Sequence, residues 1–142
     1  VTGVQTCALP ISGPLETIFR TNARYYERYF IEIVAETDPN AERFLSEKTM
    51  KNFVLGKPFL LFAGAGALAY LRSLGFQTFH SVLNESYDQE SNCYLRLEKV
   101  IAEIDRLAAM SLAELQELHR QLEPVFEHNR SVSEKYWSGK KI

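Results

Sequence analysis

Ser46-Glu47-Lys48-Thr49 sets a hydroxyl, a carboxylate and an ammonium group on successive residues where a short helix is predicted to begin, and Gly56 is placed to end that helix. An apolar run, Pro58 to Ala63, follows and runs into Gly64-Ala65-Gly66. In α/β proteins this order lays charged side chains and free backbone amides along one sheet edge, a common seat of phosphorylated ligands. A lysine in a first helical turn adds its charge to the exposed amides and stabilises an anion there. A neighbouring carboxylate can accept hydrogen bonds from ligand hydroxyls. A plainer alternative stands beside this one: the dipole alone favours Glu47 in a first turn, and Lys48 is then a solvated surface residue.

The elements that must position these groups alternate. Residues 14–27 mix apolar and arginine positions and read either as a short helix or as an irregular lead-in. Tyr29 to Ala35 is rich in aromatic and β-branched residues and reads as a buried strand, ending at Glu36-Thr37-Asp38-Pro39-Asn40, whose turn chemistry marks a loop. Ser46 can cap a helix over 47–55, with Gly56 at its C′ position. Pro58 to Ala63 is a second strand, continuously apolar as in a sheet covered on both faces. The glycine turn opens a helix over 67–74 that Gly75 stops, and Phe76 to Phe79 reads as a third parallel strand before a polar loop, Asn84 to Asp88. Tyr94, Leu97, Val100, Ile101, Ile104 and Leu107 then repeat at helical spacing. Ser111 with Glu114 forms a capping box for a further helix, which Pro124 should kink or break.

Composition narrows the classes. A chain of 142 residues with 46% hydrophobic and 24% charged residues is a one-domain globular length. A net charge of −2 gives no reason to expect nucleic-acid binding. Residues 13–84 carry eight Lys/Arg against seven Asp/Glu, while residues 85–142 carry eight against eleven, so the half with the glycine turn is the more basic. Two cysteines, Cys7 and Cys93, make neither a disulfide framework nor a zinc spacing. His80, His119 and His128 lack partners at ligand spacing, and no metal or cofactor is expected. No apolar run reaches the roughly 20 residues that span a bilayer.

Residues 1–11, Val1-Thr2-Gly3-Val4-Gln5-Thr6-Cys7-Ala8-Leu9-Pro10-Ile11, are uncharged and without periodicity or signal-peptide character. They match the in-frame translation of a widely used short-read sequencing adapter, with Ser12 at the junction. On that reading 1–12 is an artefact of metagenomic origin, and the native protein is expected to extend further toward its N-terminus.

The ordered set of Glu36-Thr37, Ser46-Glu47-Lys48 and Gly56-Lys57-Pro58 resembles the C-terminal, donor-binding domain of GT-B glycosyltransferases, closest to fucosyltransferase-type families. Leu71 to Phe79 and Glu85-Ser86-Tyr87-Asp88 resemble segments of uncharacterised bacterial and phage proteins of that type. The resemblance covers roughly residues 29–107 and departs from the family at Glu36-Thr37, where Glu-Asn is usual. It implies an α/β fold, the Rossmann-like C-terminal half of a GT-B enzyme: a short parallel sheet with flanking helices and a helical C-terminal end. The implied organisation is a lead-in at 13–28, a nucleotide-sugar-binding half-domain at 29–110 and a helical extension at 111–142.

The resemblance further implies that Glu36, Ser46, Glu47, Lys48, Gly64 and Gly66 meet the donor, with no metal requirement. Arg72, Tyr87 and Asp88 are weaker candidates: Arg72 reads equally as a solvated residue, and Asp88 equally as a helix cap. The partners implied are a nucleotide diphosphate sugar and an N-terminal domain that supplies acceptor site and base, so this portion alone is expected to be inactive. A cytoplasmic setting is expected from the lack of a recognisable signal. The competing expectation is a non-catalytic α/β domain whose C-terminal helices form a protein-interaction surface, as in a phage or envelope assembly.

Overall fold

The computed structural model of the chain describes residues 27–138; residues 1–12 and most of the 13–28 lead-in lie outside the described residues. The fold is α/β and mostly helical. Strand β1 (Glu32–Ala35) leads to helix α1 (Glu47–Leu55), strand β2 (Phe59–Phe62) and helix α2 (Ala67–Ser73). A 3₁₀ turn (Ser86–Gln89) then precedes α3 (Cys93–Ala108), α4 (Leu112–Gln121) and α5 (Glu123–Ser138). The two strands are parallel, in a register that pairs Glu32 with Phe59 and Ala35 with Phe62.

Local chemistry accounts for the helix ends. The Ser46 side chain accepts from the Lys48 amide, and Gly56 closes α1 in the left-handed conformation at φ 63°, donating its own N–H to the Asn52 carbonyl. Both halves of the Ser111–Glu114 capping box are present at α4. Pro124 breaks the helical run as expected: it occupies the first turn of α5, where a missing N–H costs nothing.

The core is aromatic. Phe53 stacks on Phe76 with centroids 4.2 Å apart, and Phe59 meets Phe53 and Phe79 edge-on at 5.3 and 5.1 Å. Phe59, Leu60 and Leu61 are all buried, so β2 is covered on both faces as its sequence required. β1 is shorter than expected and only partly covered: Val34 is buried, while Ile33 is 52% exposed.

Phe76 to Phe79 is not a strand: among the described residues the sheet has two strands. Its backbone groups are taken instead by local turns, with the Phe76 amide on the Leu71 carbonyl and the Phe79 carbonyl on the Val82 and Leu83 amides, and by side chains. Asn129 of α5 accepts from the Gln77 amide and donates to the Gln77 carbonyl, both at 2.8 Å. Glu85 accepts from the Phe79 amide at 2.7 Å. On β2 itself the Leu61 amide, on the edge away from β1, donates to the buried Tyr87 hydroxyl at 3.2 Å.

Helix α3 differs from expectation in the face it buries. Val100 and Leu107 are inside, flanked by the buried Arg96 and Glu103, whereas Tyr94 is 79% exposed and Ile101 47%. The polar pair is drawn inward by loop carbonyls and amides: Arg96 binds the Glu90 carbonyl at 2.6 Å, and Glu103 accepts from the Asn84 amide at 2.9 Å.

The Tyr87 hydroxyl is thus a structural acceptor. Replacing it by Tyr87→Phe leaves a buried amide unpaired and should cost about 1–3 kcal/mol. Urea unfolding measures this, and a variant as stable as the parent would show that the Leu61 amide has another partner.

Candidate functional site

Parallel strands gather the residues that follow their C-terminal ends at one edge of the sheet. Glu36 directly follows β1, and its amide donates to the Phe62 carbonyl of β2 at 3.0 Å. Its side chain is buried and turns to the start of α1. Oε1 accepts from the Ser46 amide at 3.0 Å and the Thr49 hydroxyl at 2.6 Å, while Oε2 accepts from the Ser46 hydroxyl at 2.7 Å. Glu36 and Ser46 are therefore bonded directly to each other, and Thr49, which was not among the expected site residues, adds a third donor to the same carboxylate. Three donors satisfy the carboxylate and fix the first turn of α1 against the end of β1.

Glu47 and Lys48 lie on that fixed turn. Both are exposed, and neither side chain has a hydrogen bond or ion pair among the described residues. The turn is held by Glu36 below and shows a free carboxylate and a free ammonium group above.

The glycine turn serves the fold in a visible way. A Cβ on Gly64 would lie 2.3 Å from the Ala41 carbonyl oxygen, so the loop after β1 packs directly on its backbone. Gly66 is left-handed at φ 82°, and its amide donates to the Asp88 carbonyl at 2.7 Å. The Asp88 carboxylate accepts from the Leu68 amide at 2.8 Å and the Ala69 amide at 3.1 Å. Asp88 is thus a helix cap, but of α2, twenty residues back, and not of the helix that follows it, which Asn92 caps. The amides of α2 that a phosphate would use already hold an internal carboxylate.

Arg72 belongs to the same cluster. Its guanidinium donates to the Thr78 hydroxyl at 2.9 Å and lies 3.5 Å from Glu85 and 3.9 Å from Asp88. Tyr87 is enclosed beside them, and burial pushes its phenol far above the usual range. Thr78 and Glu85 complete a network that the sequence did not suggest, because its members are joined only by the folding back of the 76–90 segment. Gly66, Arg72, Tyr87 and Asp88 are therefore grouped around α2 and the far edge of β2, while Glu47 and Lys48 stand apart on α1 with no bond to them.

A cavity of about 510 Å³ opens at the opposite end of α1, lined by Gly56, Lys57, His119, Phe126 and Arg130 together with Glu123 and other residues. No sequence-predicted site residue lines it. Burial, reinforced by the Lys57 charge, pushes the His119 imidazole below its usual range, and Glu123 opposes this. Among the described residues no group of three or more His, Cys, Asp or Glu is arranged to hold a metal ion. No described helix is long and apolar enough to cross a membrane.

Glu85 supplies a pH-dependent readout of the Arg72 network. Burial pushes its carboxyl above the usual range, against the pull of bonds from Thr78 and Phe79 and of the Arg72 charge. A raised folded-state value means the native protein binds more protons than the unfolded chain between the two values. The contribution is full below the ordinary glutamate value of about 4.3 and is lost as pH rises through the folded value. The stability of the parent minus that of Glu85→Gln should therefore fall as pH increases across this window. A difference that stayed flat or rose in urea unfolding would refute the assignment.

No protein-family model matches the chain, and no curated protein or solved structure matches it significantly.

Proposed function

We propose that this chain is the donor-binding portion of a GT-B-type glycosyltransferase, holding the diphosphate of a nucleotide sugar at the first turn of α1. The observation that carries the proposal is the contrast between the two helix starts beside the sheet. The start of α2 is filled by Asp88, whereas the start of α1 is braced from within by Glu36 and leaves Glu47 and Lys48 exposed and unpaired among the described residues. A β-α-β unit with parallel strands, each followed by a helix, supports the same reading at the level of fold.

In this proposal Lys48 stabilises the charge that builds on the leaving diphosphate as the sugar–phosphate bond breaks, with the dipole of α1 acting in the same sense. Glu47 accepts hydrogen bonds from ribose or sugar hydroxyls. Glu36 and Ser46 act behind them, holding the turn in place. Gly64, Gly66, Tyr87 and Asp88 shape the edge, and Arg72 is engaged in the network around α2. The acceptor site and the base that deprotonates the acceptor hydroxyl belong to the N-terminal domain of such an enzyme, so the proposal predicts binding without transfer.

A second reading has its own support. Tyr94, Leu97, Ile101 and Leu112 expose apolar surface along α3 and the start of α4, which suits a helical protein-interaction surface in a non-catalytic domain.

Titration calorimetry with guanosine and uridine diphosphates separates the two. The donor reading expects saturable binding by the parent chain. Loss of a charge-assisted contact is worth about 1.5–3 kcal/mol, so Lys48→Ala should bind about ten- to a hundredfold more weakly. Equal affinity of Lys48→Ala and parent would take Lys48 out of the site, and no binding by the parent would leave the interaction-surface reading.

A further inference from the structure

Helix α3 carries two apolar lines, and the fold covers one of them. Val100 and Leu107 are buried beside Arg96 and Glu103. About 100° further round, Tyr94, Leu97, Ile101, Ile104 and Ala108 form a second line. Its steps are three, four, three and four residues, the spacing of a coiled-coil seam. Ile104 is half-buried against the core, whereas the other four are exposed, Tyr94 by 79%. No described helix therefore covers this seam.

The two borders of the seam differ in chemistry. In heptad terms Tyr94, Ile101 and Ala108 hold a positions, and Leu97 and Ile104 hold d positions. The g positions are then Val100 and Leu107, so that border is closed by the core. The e positions are Glu98 and Asp105, both exposed, and neither side chain has a hydrogen bond or ion pair among the described residues. The cations of α3 are engaged elsewhere. Lys99 lies 3.3 Å from Glu90, Arg106 lies 2.6 Å from Glu103, and Arg96 donates to loop carbonyls. The open border thus presents two uncompensated carboxylates one heptad apart, at the positions that select the partner of a seam by charge.

A second copy of this chain does not suit that border. Parallel pairing sets e against g, and g is inside the core; antiparallel pairing across a two-fold axis sets e against e. Glu98 and Asp105 would then face their own equivalents, and like charges so placed oppose association. An anionic lipid surface meets the same repulsion.

We propose that the outer face of α3 docks a basic amphipathic helix of a partner, one with apolar residues at the same alternating spacing and Lys or Arg along the flank that meets Glu98 and Asp105. This rests on the interaction-surface reading, to which it adds the chemistry of the partner, and it is independent of what binds at α1.

The probes are two synthetic peptides of about three heptads, with leucine at a and d and either lysine or glutamate at e and g. Fluorescence anisotropy follows each into the full 142-residue chain, into Ile101→Asp and into the double variant Glu98→Lys, Asp105→Lys. Circular dichroism controls for fold, and sedimentation gives the oligomeric state. The parent should bind the lysine peptide in preference to the glutamate one, less tightly as salt is raised. Ile101→Asp should bind it at least about tenfold more weakly, the loss expected at the centre of an interface. Because that change adds an acid, nonspecific attraction would move the other way. The double variant should prefer the glutamate peptide, and its preference decides the matter if Ile101→Asp does not fold. Parental affinity of Ile101→Asp, or equal binding of both peptides by the parent, overturns the proposal. A parent that binds neither peptide but self-associates through Ile101 overturns the basic partner and leaves the interaction surface standing. A parent that binds neither and stays monomeric overturns both.

Discussion

A two-stranded parallel sheet buried beneath helices leaves one edge of its inner strand without a ladder, and buried backbone donors cannot stay unpaired without a cost comparable to a lost hydrogen bond. In this protein side chains pair the groups that a third strand would have paired. Tyr87 takes the Leu61 amide on the free edge of β2, Asn129 takes both polar groups of Gln77, and Glu85 takes the amide of Phe79. The 76–90 segment is held by these contacts in an irregular path that buries Phe76, Phe79, Leu83 and Tyr87 without extended pairing. Much of the rest depends on that solution, because the 3₁₀ turn that brings Tyr87 to β2 also delivers Asp88 to the start of α2.

The same economy decides where a ligand can be received. An internal carboxylate at the start of α2 satisfies the amides and complements the helix dipole, which removes that turn as an anion site. At α1 the carboxylate is Glu36, and it bonds the Ser46 amide and hydroxyl and the Thr49 hydroxyl, leaving the following two side chains outside. The two helix starts thus differ in sequence and in what meets them: Ser46 caps α1 from within its own turn and Glu36 braces it from behind, whereas α2 opens on Gly66 with no side chain of its own to cap it and takes the Asp88 carboxylate from a distant turn.

What the sequence made legible follows from range. Ser46, Gly56, the Ser111–Glu114 box and Pro124 act on neighbours within four residues, so the limits of α1, α4 and α5 could be read directly. The continuous apolar run of β2 announced a strand covered on both faces. Glu36 was singled out as a site residue, yet its partners Ser46 and Thr49 lie ten and thirteen positions away, and their bonds show it bracing the site. Phe76 to Phe79 has strand composition, but strand formation also needs a free edge, and Tyr87 had closed it from eleven residues beyond Phe76. Asp88 was legible as a cap; which helix it caps was not, because that depends on the return of the chain and not on spacing.

Helix α3 shows how one constraint forces another. Its positions advance by about 100° per residue, so one stripe cannot be turned inward without turning its neighbour outward. Arg96, Val100, Glu103 and Leu107 share a stripe, and the two charged members are committed to the loops at 39, 84, 90 and 91. Tyr94, Leu97 and Ile101 lie on an adjoining stripe and are carried to the surface by that commitment. Hydrophobic burial alone would rotate the helix to bring those three residues inside, at the expense of stranding a guanidinium and a carboxylate. Burying charge is tolerable only with partners in place, and the loops supply them on one side only. The exposed apolar stripe is therefore a consequence of fastening the loops over the sheet edge. A partner that covered the stripe would therefore be using a surface that the fastening of the loops had already created.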